Sequence, residues 1–491
     1  TIIFSDFSFI YIVIIYKIVY NSNSQKIKKF ILYRGRKMKK VSLENGSVKK
    51  LFFSFAVPSI IGMLVVSMQM MIDGFFIANT VGAQGLAAIN LSIPVVNFVM
   101  STAMMISAGG GVYCSIAFGN NKKRKANEIF SFTFAVYLTI LGTLAVIGII
   151  FIDEIINILG ATPSLALIVK PYLLTMLALN IFYNFPIFTE TFIKIANKPH
   201  FVFISCFTCF TGNVIGDYIF IVKLGMGVFG AALATCLADG IAGLILMRQY
   251  IKSRSAVSFV KPKGDRNLLG KILYNGSSEM LTVVSSAVAT FIFNLILMKR
   301  IGEIGVSALT IVFYVNSVVN ICLYGLSQAL QPIVSYNLGA KRIDKIKEVL
   351  RTAFITGAGI GIFFFIVMKL KSSFVVEMFS KGNIELELLT KEVLNIVVFQ
   401  YLFSFVNITA SSFLTAVEKP LESGVVAFAR SLVFTAGFLL TLPLILGNTG
   451  LWLALPVGEF FCMTVSIPLM VFSYKKIKTK ILKSIDKTAK I

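Results

Sequence analysis

The sequence predicts an all-α polytopic membrane protein with twelve transmembrane helices in two pseudo-symmetric six-helix bundles. Of its 491 residues, 57% are hydrophobic and only 14% are charged, whereas soluble domains usually carry about 25% charged residues. Apolar runs of about 20 residues, long enough to cross a bilayer as helices, recur along the whole chain. The two halves of the chain also resemble each other in sequence. These three observations decide the fold class.

The placement of the basic residues predicts the membrane topology. The formal net charge is +24, and most of the Lys and Arg residues fall in alternate connections between apolar runs, as is typical of loops on the cytoplasmic side. We therefore expect a multi-pass protein of the bacterial cytoplasmic membrane with both termini in the cytoplasm. Because the charge is spread over loops in this way, we expect no nucleic-acid partner. The basic segments are 21–50, 122–125, 194–200, 248–271, 341–351, Lys419 and 475–490.

An N-terminal extension and a basic cytoplasmic leader occupy residues 1–50. Met38 opens a short basic segment that runs directly into the first apolar run. We therefore expect translation to begin at Met38 and residues 1–37 to be upstream sequence that is not native. A genuine additional N-terminal helix is the alternative.

Twelve predicted spans follow in two sets of six. The first six-helix bundle covers 51–248, a cytoplasmic linker covers 249–271, the second bundle covers 272–474, and a basic cytoplasmic tail covers 475–491. The spans are 51–78, 86–118, 128–152, 166–190, 201–222, 228–248, 272–298, 306–337, 352–370, 392–416, 421–446 and 451–474.

The two sets of spans form an internal repeat. VGAQGLAAI at 81–89 overlays IGEIGVSAL at 301–309, and the Lys-Pro pair at 198–199 overlays the pair at 419–420. The first match spans the interval from 81 to 301 and the second the interval from 198 to 419. We call these two intervals, which differ by a single position, the repeat offsets. Both halves have the same predicted orientation, so the repeat is parallel, about an axis along the membrane normal. Transporters built in this way bind their substrates between the two halves.

Two carboxylates interrupt the apolar spans. The run 201–222 would extend about 33 Å as a helix, and in it Asn213 and Asp217 lie four residues apart on one face. Asp73 interrupts the first span. A carboxylate inside a span costs roughly 2.5–3.5 kcal/mol and usually marks an ion or substrate path. For Asp73, an interfacial position at the helix end is the alternative.

Further polar residues in the spans are secondary candidates for ion coupling or substrate binding. Thr235 could lend its hydroxyl oxygen to a cation, although a hydrogen bond back to its own helix is an equal alternative. Amide and phenol side chains of the eighth span suit either a polar cavity wall or helix–helix hydrogen bonds. Arg430 either reaches the membrane surface or pairs with a carboxylate. The secondary candidates are Glu279, Asp239, Gln69, Gln328, Gln331 and Tyr336.

Two other features bear on mechanism. Pro58 removes one backbone hydrogen bond from the first span, which should therefore bend easily near its cytoplasmic end. All six cysteines lie in apolar runs, and we interpret them as small core residues. His200 is the only histidine, so the sequence offers almost no residues for metal-centred or histidine-based catalysis. We expect no catalytic residues and no enzyme activity.

At these residues the chain resembles the multidrug and toxic compound extrusion (MATE) family, in particular its Gram-positive multidrug branch. The resemblance covers about 51–474. Its motifs, which are specific in their order and spacing together, are the Asp73 span with VGAQGLAA, then AFGNNKKRKA, IKIANKP, NVIGD with LGMGVFGAALAT, GSSEM, and QxxQP with YNxGA in the eighth span.

The resemblance implies a cation-coupled antiporter that exports cationic amphipathic drugs and toxic organic compounds, a route to antibiotic resistance. Four residues match the family's positions for binding H⁺ or Na⁺, and they would form a metal site only if the coupling ion is Na⁺: Asp73, Asn213, Asp217 and Thr235. Pro58 matches the proline at which the first helix is proposed to bend. The chain departs from the family's pattern at two points. Its tenth span has no acid after the first residue, and Lys194 stands where the family usually has an arginine. No cofactor beyond the coupling ion is expected, and we expect a monomer in the lipid bilayer.

Three other readings are weaker. A lipid-linked saccharide flippase of the same superfamily should carry several buried basic residues, and only Arg430 qualifies from the sequence. A major facilitator should show a Gly-Asp-Arg-Gly-Arg-like loop after its second span, where this chain has GNNKKRK. A membrane enzyme needs a nucleophile–base pair or metal ligands near one membrane face, and the sequence shows none.

Overall fold

The protein is described here by a computed structural model that covers Leu43 and residues 47–251, 256–262, 265–380 and 383–489. The predictions that translation begins at Met38 and that 1–37 are not native fall on residues outside this part of the chain. We call residues 48–251 the first half and residues 266–489 the second half. The bundle, linker and tail boundaries expected from the sequence stay predictions.

The described part of the first half is helical throughout. Long apolar runs favour helices, because only a helix satisfies every backbone polar group of a single segment inside a bilayer. A π-helical stretch, Tyr218–Lys223, continues the eighth helix. The helices are α1 (Val48–Thr80), α2 (Ala83–Gly119), α3 (Lys123–Ile150), α4 (Ile152–Ile158), α5 (Pro163–Ala178), α6 (Asn180–Tyr183), α7 (Phe185–Ile195), α8 (His200–Asp217) and α9 (Gly227–Ile251).

The second half repeats this helical order. It also contains a π-helical stretch, Ala429–Ala436, and a short 3₁₀ turn, Val398–Gln400. The helices are α10 (Arg266–Arg300), α11 (Glu303–Gly339), α12 (Ile343–Ser380), α13 (Ile384–Val397), α14 (Tyr401–Ala416), α15 (Pro420–Phe428), α16 (Gly437–Leu446) and α17 (Asn448–Ala489).

Within the described residues, eleven helical segments are long and apolar enough to span a membrane, and twelve if one bent pair counts as a single span. The bent pair is Pro163–Ala178 with Asn180–Ile195, which meet at 69°. The predicted span 166–190 is therefore broken at Leu179. A second interruption follows at Asn184, between α6 and α7, because Pro186 at the start of α7 has no N–H to donate to the carbonyl oxygen of Phe182. The predicted fold class is confirmed, and the protein is a multi-pass membrane protein.

The internal repeat is visible in the backbone. Gly82 and Gly302, which the first repeat offset pairs, precede α2 and α11 with the same φ of 82° and ψ of −160°. Left-handed residues also recur at matching turns. The pairs, with their φ angles, are Asn121 (59°) with Lys341 (55°), Asn197 (59°) with Glu418 (60°), and Gly227 (56°) with Gly447 (59°).

The two halves meet through glycines at the ends of α2 and α11 that lead into basic loops. A Cβ atom added to Gly119 would collide with the carbonyl oxygen of Tyr336, and one added to Gly339 would collide with that of Ile116. These two contacts are related by the same repeat offset. The absence of side chains lets the two helix backbones touch, so this end of the molecule is closed between the halves.

Candidate functional site

Three helices of the first half bring together the four residues that match the family's cation positions. The Asp73 carboxyl group of α1 lies against the side chains of Asp217, Asn213 and Thr235. Asn213 and Asp217 come from α8 and are completely buried, and Asp73 is half-buried. We call these four residues the oxygen cluster. The sequence predicted that Asn213 and Asp217 share a face of one helix, and the structure confirms it.

The oxygen cluster contains buried oxygens that accept no hydrogen bond from any described residue. They are one oxygen of Asp73, both carboxylate oxygens of Asp217 and the side-chain oxygen of Asn213. A buried acceptor without a donor costs roughly 1–3 kcal/mol, and more if it is charged. A proton on one carboxyl group, or a small cation among the four oxygens, would remove most of this cost.

Thr235 makes the hydrogen bond to its own helix that was one of its two predicted alternatives, and a contribution of its oxygen to a cation stays a prediction. Its hydroxyl donates to the carbonyl oxygen of Ala231 in its own helix at 3.1 Å. It also accepts a hydrogen bond from the Asn213 amide nitrogen at 3.1 Å, which turns the amide oxygen of Asn213 away from Thr235. The hydroxyl therefore orients the amide, and the half-buried Asp73 carboxyl group lies next to both side chains.

The donor set of the oxygen cluster suits a hard monovalent cation or a proton. Carboxylate, amide and hydroxyl oxygens are ligands for such cations. In the described part of the chain, no group of three or more His, Cys, Asp or Glu side chains is arranged to hold a metal ion. The oxygen cluster contains two carboxylates, and its other oxygens come from the Asn213 amide and the Thr235 hydroxyl.

A second group of buried polar residues lies beside the oxygen cluster. Asp239 of α9 is 8% exposed and accepts a hydrogen bond from the Cys209 thiol. Cys209 also lies 3.4 Å from the side-chain oxygen of Gln69, and the Cys206 thiol donates to Glu190 at 3.5 Å. We call these five residues the thiol cluster. The cysteines are buried and free, as predicted, but their thiols bind carboxyl groups.

The thiol cluster reaches the contact between the halves through Lys194. This lysine is 4% exposed and lies close enough to Glu190 for an electrostatic attraction. Its ammonium group donates to the side-chain oxygen of Gln328, in the second half, at 2.7 Å. The sequence placed Lys194 in a basic loop. That prediction was wrong, because α7 continues to Ile195 and buries the lysine.

The remaining candidates of the second half form helix–helix hydrogen bonds. Gln331 of α11 donates to Glu279 of α10 at 2.6 Å, and Gln328 accepts from Lys194. Tyr336 is buried at the glycine contact between α2 and α11. Of the two alternatives for the amides, helix–helix bonding is the one observed. Their roles in coupling or substrate binding stay predictions.

Arg430 pairs with a carboxylate, one of its two predicted alternatives. Its guanidinium group lies 2.6 Å and 2.7 Å from one Glu459 oxygen. The other Glu459 oxygen accepts from Asn407 at 2.7 Å. Glu459 is 6% exposed and the Arg430 side chain is 18% exposed, so this is a largely buried ion pair.

Pro58 lies inside α1, which continues through it without interruption. It precedes Asp73 along the same helix and lies toward the end that follows the basic leader. The predicted bending of α1 at Pro58 during transport stays a prediction.

Sequence reasoning missed Glu190 and Lys194 as members of a buried site. They are four residues apart at the end of an apolar run, a spacing that usually indicates a solvent-exposed helix pair. The segment that contains both residues, FPIFTETFIKI, has apolar residues on either side of each charge, and this pattern could have indicated burial. The bend before α7 turns this segment inward, and that bend was not predicted.

Comparison with known proteins places this geometry in context. A sequence model of the protein family described as MatE matches residues 58–219 and 280–439. A multidrug export protein MepA of Staphylococcus haemolyticus is 25% identical over 421 residues, which are 85% of this chain and 92% of that protein. A MepA of Staphylococcus aureus is 24% identical over 327 residues, 66% of this chain and 71% of the relative.

Solved structures with the same fold exist. One is described as the outward-facing conformation of a multidrug resistance MATE family transporter; it has a TM-score of 0.84 at 21% identity and covers 91% of this chain and 99% of its own. Another, from Pyrococcus furiosus, is described as a transporter whose reversed pocket polarity suggests a different function. Its TM-score is 0.83 at 21% identity, and the match covers 90% of this chain and 98% of that one. At these identities the likeness shows the fold.

Proposed function

Because the chain belongs to the MatE family, we propose that it is a cation-coupled antiporter that exports cationic amphipathic compounds across the cytoplasmic membrane. The observation that carries the proposal is the oxygen cluster, whose buried oxygens accept no hydrogen bond from the described residues. Two neighbouring carboxyl groups whose buried oxygens lack donors are costly, and an ion that binds and leaves would relieve that cost. The MepA relatives are named as multidrug export proteins, which supports the substrate class.

The proposed coupling follows from electrostatics in an apolar surrounding. Two carboxylates side by side are costly to ionise together. A proton or Na⁺ on Asp73 and Asp217 neutralises them, and an empty pair attracts a cationic substrate. If the cation and the substrate exclude each other, the inward cation gradient drives substrate export. The coupling ion is H⁺ or Na⁺, and the oxygens of Asn213 and Thr235 would complete a Na⁺ site.

The contact between the halves supports alternating access. The touching glycines, Gly119 and Gly339, lie at the end that carries basic loops, and by the positive-inside rule this end faces the cytoplasm. The arrangement described here is then closed toward the cytoplasm. We propose that transport opens this contact while α1 bends at Pro58.

The flippase alternative gains no support. Its lipid pyrophosphate would need several buried cations facing the cavity. Among the described residues, Arg430 is neutralised by Glu459, and the buried Lys194 is engaged by Gln328 and Glu190. Both cations are therefore already satisfied by protein groups. A monomer that needs no cofactor other than the coupling ion, and that binds no nucleic acid, fits this account.

Ethidium transport in inside-out vesicles tests the proposal, with a pH gradient and a Na⁺ gradient imposed separately. Accumulation driven by one gradient establishes antiport and identifies the ion. If neither gradient moves ethidium although the protein is folded, the proposed function is wrong. An Asp153→Asn variant serves as a matched control, since Asp153 is an exposed first-half carboxylate paired with Lys170 at 2.5 Å.

A further inference from the structure

The thiol cluster lies one helical turn from the oxygen cluster, on the side of the basic loops. Helices α1, α8 and α9 each contribute residues to both clusters at a spacing of four positions, or about 6 Å of rise. The basic-loop ends of these helices are the start of α1, the start of α8 and the end of α9, and in each helix the thiol-cluster member is nearer that end. The pairs are Gln69 with Asp73, Cys209 with Asn213, and Asp239 with Thr235.

The internal repeat supplies a comparison for Asp239. The repeat offsets place Glu459 opposite Asp239 and Arg430 opposite Cys209. In the second half this position holds a buried ion pair, Arg430 with Glu459. In the first half the arginine is replaced by a thiol, so the buried carboxyl group of Asp239 forms no ion pair with any described residue. A buried carboxylate that lacks a cation is strongly disfavoured, and a carboxyl group that carries a proton is not.

The groups around Asp239 leave room for a proton rather than for a metal cation. Thiols are poor ligands for Na⁺ and other hard cations, and both carboxyl groups of the cluster already accept from thiols. Titratable groups of six helices are in electrostatic contact with Asp239, and none of these neighbours carries a positive charge. These neighbours are Asp73 of α1, Tyr137 of α3, Tyr183 of α6, Glu190 of α7, Cys206 and Cys209 of α8, and Cys236 of α9.

Glu190 differs from Asp239 in two ways. The buried ammonium group of Lys194 is near enough to offset the cost of an ionised Glu190. The Ser205 hydroxyl, which is completely buried, lies next to the Glu190 carboxyl group. Because Lys194 also binds Gln328 across the two halves, opening this end of the molecule would break that bond and expose Glu190.

We propose that Asp239 and Glu190 are a proton path that connects the oxygen cluster with the basic-loop side. This inference rests on the proposed function and adds to it the route by which the proton leaves. The proton leaves a carboxyl group of the Asp73–Asp217 pair, resides on Asp239, and passes to Glu190, from which water on the basic-loop side accepts it. Only the proton is transferred, so each carboxyl group that loses it returns to its carboxylate form.

Infrared spectroscopy of the full-length protein in lipid tests the proton on Asp239 without any transport assay. The Asp73→Asn/Asp217→Asn double variant removes the contribution of the oxygen cluster. On that background a protonated-carboxyl band is expected at neutral pH, and adding Asp239→Asn should remove part of it. An unchanged band would overturn the proposal. A band that disappears on addition of Na⁺ at constant pH would also overturn it, because the cluster would then hold sodium.

A charge swap tests the same site if Asp239→Asn does not fold. Cys209→Arg copies the second-half pair into the first half, so Asp239 should become an ionised partner and lose its protonated band. Retention of that band in folded Cys209→Arg would contradict the proposal.

Vesicle transport then tests the path. Asp239→Asn and Glu190→Gln should each slow pH-driven ethidium transport by about 10- to 100-fold, while ethidium binding in detergent and transport by Asp153→Asn stay unchanged. Wild-type rates in both variants would overturn the path. If wild-type protein moves no ethidium under any gradient, the proposed function fails instead, and the infrared result still decides whether Asp239 holds a proton.

Discussion

Matching positions of the two halves carry opposite chemistry. The first half buries the oxygen cluster, with carboxylate and amide oxygens left without donors among the described residues. At the repeat offsets, the second half has apolar side chains in place of all four members. These counterparts are Phe293, Phe434, Phe438 and Leu455. The same backbone frame therefore supports a group of buried polar oxygens in one half and apolar packing in the other.

The packing in the second half is aromatic. Phe434 and Phe438 stack with ring centroids 6.2 Å apart, and Phe293 lies 5.9 Å from Trp452. Phe293 and Trp452 are each only 2% exposed. Such contacts hold the helices together without any group that a cation could change. From this difference we predict that ion binding, as proposed, changes the first half and that the second half responds as a unit.

The largest predicted effect separates Asp217 from its counterpart Phe438. Asp217→Asn removes one of two carboxylates, and gradient-driven ethidium efflux should fall by about 100-fold or more, as for loss of a group that takes part in proton transfer. Phe438→Leu keeps an apolar side chain and should transport normally. Vesicle assays with equal amounts of folded protein check both. Full activity of Asp217→Asn would remove the oxygen cluster from the mechanism.

The second prediction compares the two buried acids at matching positions. Glu459→Gln leaves the buried charge of Arg430 unpaired and should destabilise the protein by about 3–5 kcal/mol. Asp239→Asn removes a carboxyl group whose only bonded donor among the described residues is a thiol, so its effect on stability should be much smaller. Thermal unfolding in detergent measures both. Equal losses of stability would show that the two acids have the same structural role.

The third prediction concerns the contact that both halves share. Gly119→Ala places a methyl group against the Tyr336 carbonyl, which should disfavour the closed arrangement by about 1–3 kcal/mol. Spin labels at Lys123 and Asp344, both of which are exposed, should then report longer distances at this end.

Gly142→Ala is the matched control, because an added Cβ meets no atom within 4 Å there. Its distance distribution should equal that of the wild type. An unchanged distribution in Gly119→Ala would mean that this contact does not set the closed arrangement.

The smallest predicted effect lies in the turns. Lys341 adopts φ 55°, where its first-half counterpart is Asn121. The left-handed conformation costs an ordinary residue such as lysine roughly 1–2 kcal/mol, and asparagine tolerates it better. Lys341→Asn should therefore raise the unfolding temperature slightly, and Asn121→Lys should lower it. Opposite signs in these two measurements would show that loop contacts outweigh backbone strain.

One loop acid differs from its counterpart in its electrostatics. Glu418 follows α14 in the left-handed turn that matches Asn197. Burial raises the pKa of the Glu418 carboxyl group, although Tyr113, Lys480 and Lys271 offset part of this effect. Its partners come from both halves of the chain, so it adds to the closed contact at the basic-loop end.

The fold was predictable from the sequence, because apolar runs dictate helices in a membrane. Asp73 and Asp217 were found as rare carboxylates inside such runs, whereas the grouping of all four residues of the oxygen cluster was implied by the family resemblance. The repeat offsets predicted which backbone turns match. The thiol cluster was not predictable in full. Cys206 and Cys209 fit ordinary core residues equally well, and Glu190 with Lys194 fits a surface pair. Only the bend between α5 and α7 brings these charges inside, and it depends on tertiary packing that no local pattern encodes.

The most direct test of the account is the cation dependence of ethidium affinity in the purified protein. The wild type should bind ethidium more weakly as the coupling cation increases, since protons or Na⁺ occupy the oxygen cluster. The Asp73→Asn/Asp217→Asn variant should lose this dependence, whereas Arg430→Gln/Glu459→Gln, which removes the second-half pair together, should keep it. A dependence that survives in the first variant, or that disappears only in the second, would contradict the assignment of ion coupling to the first half.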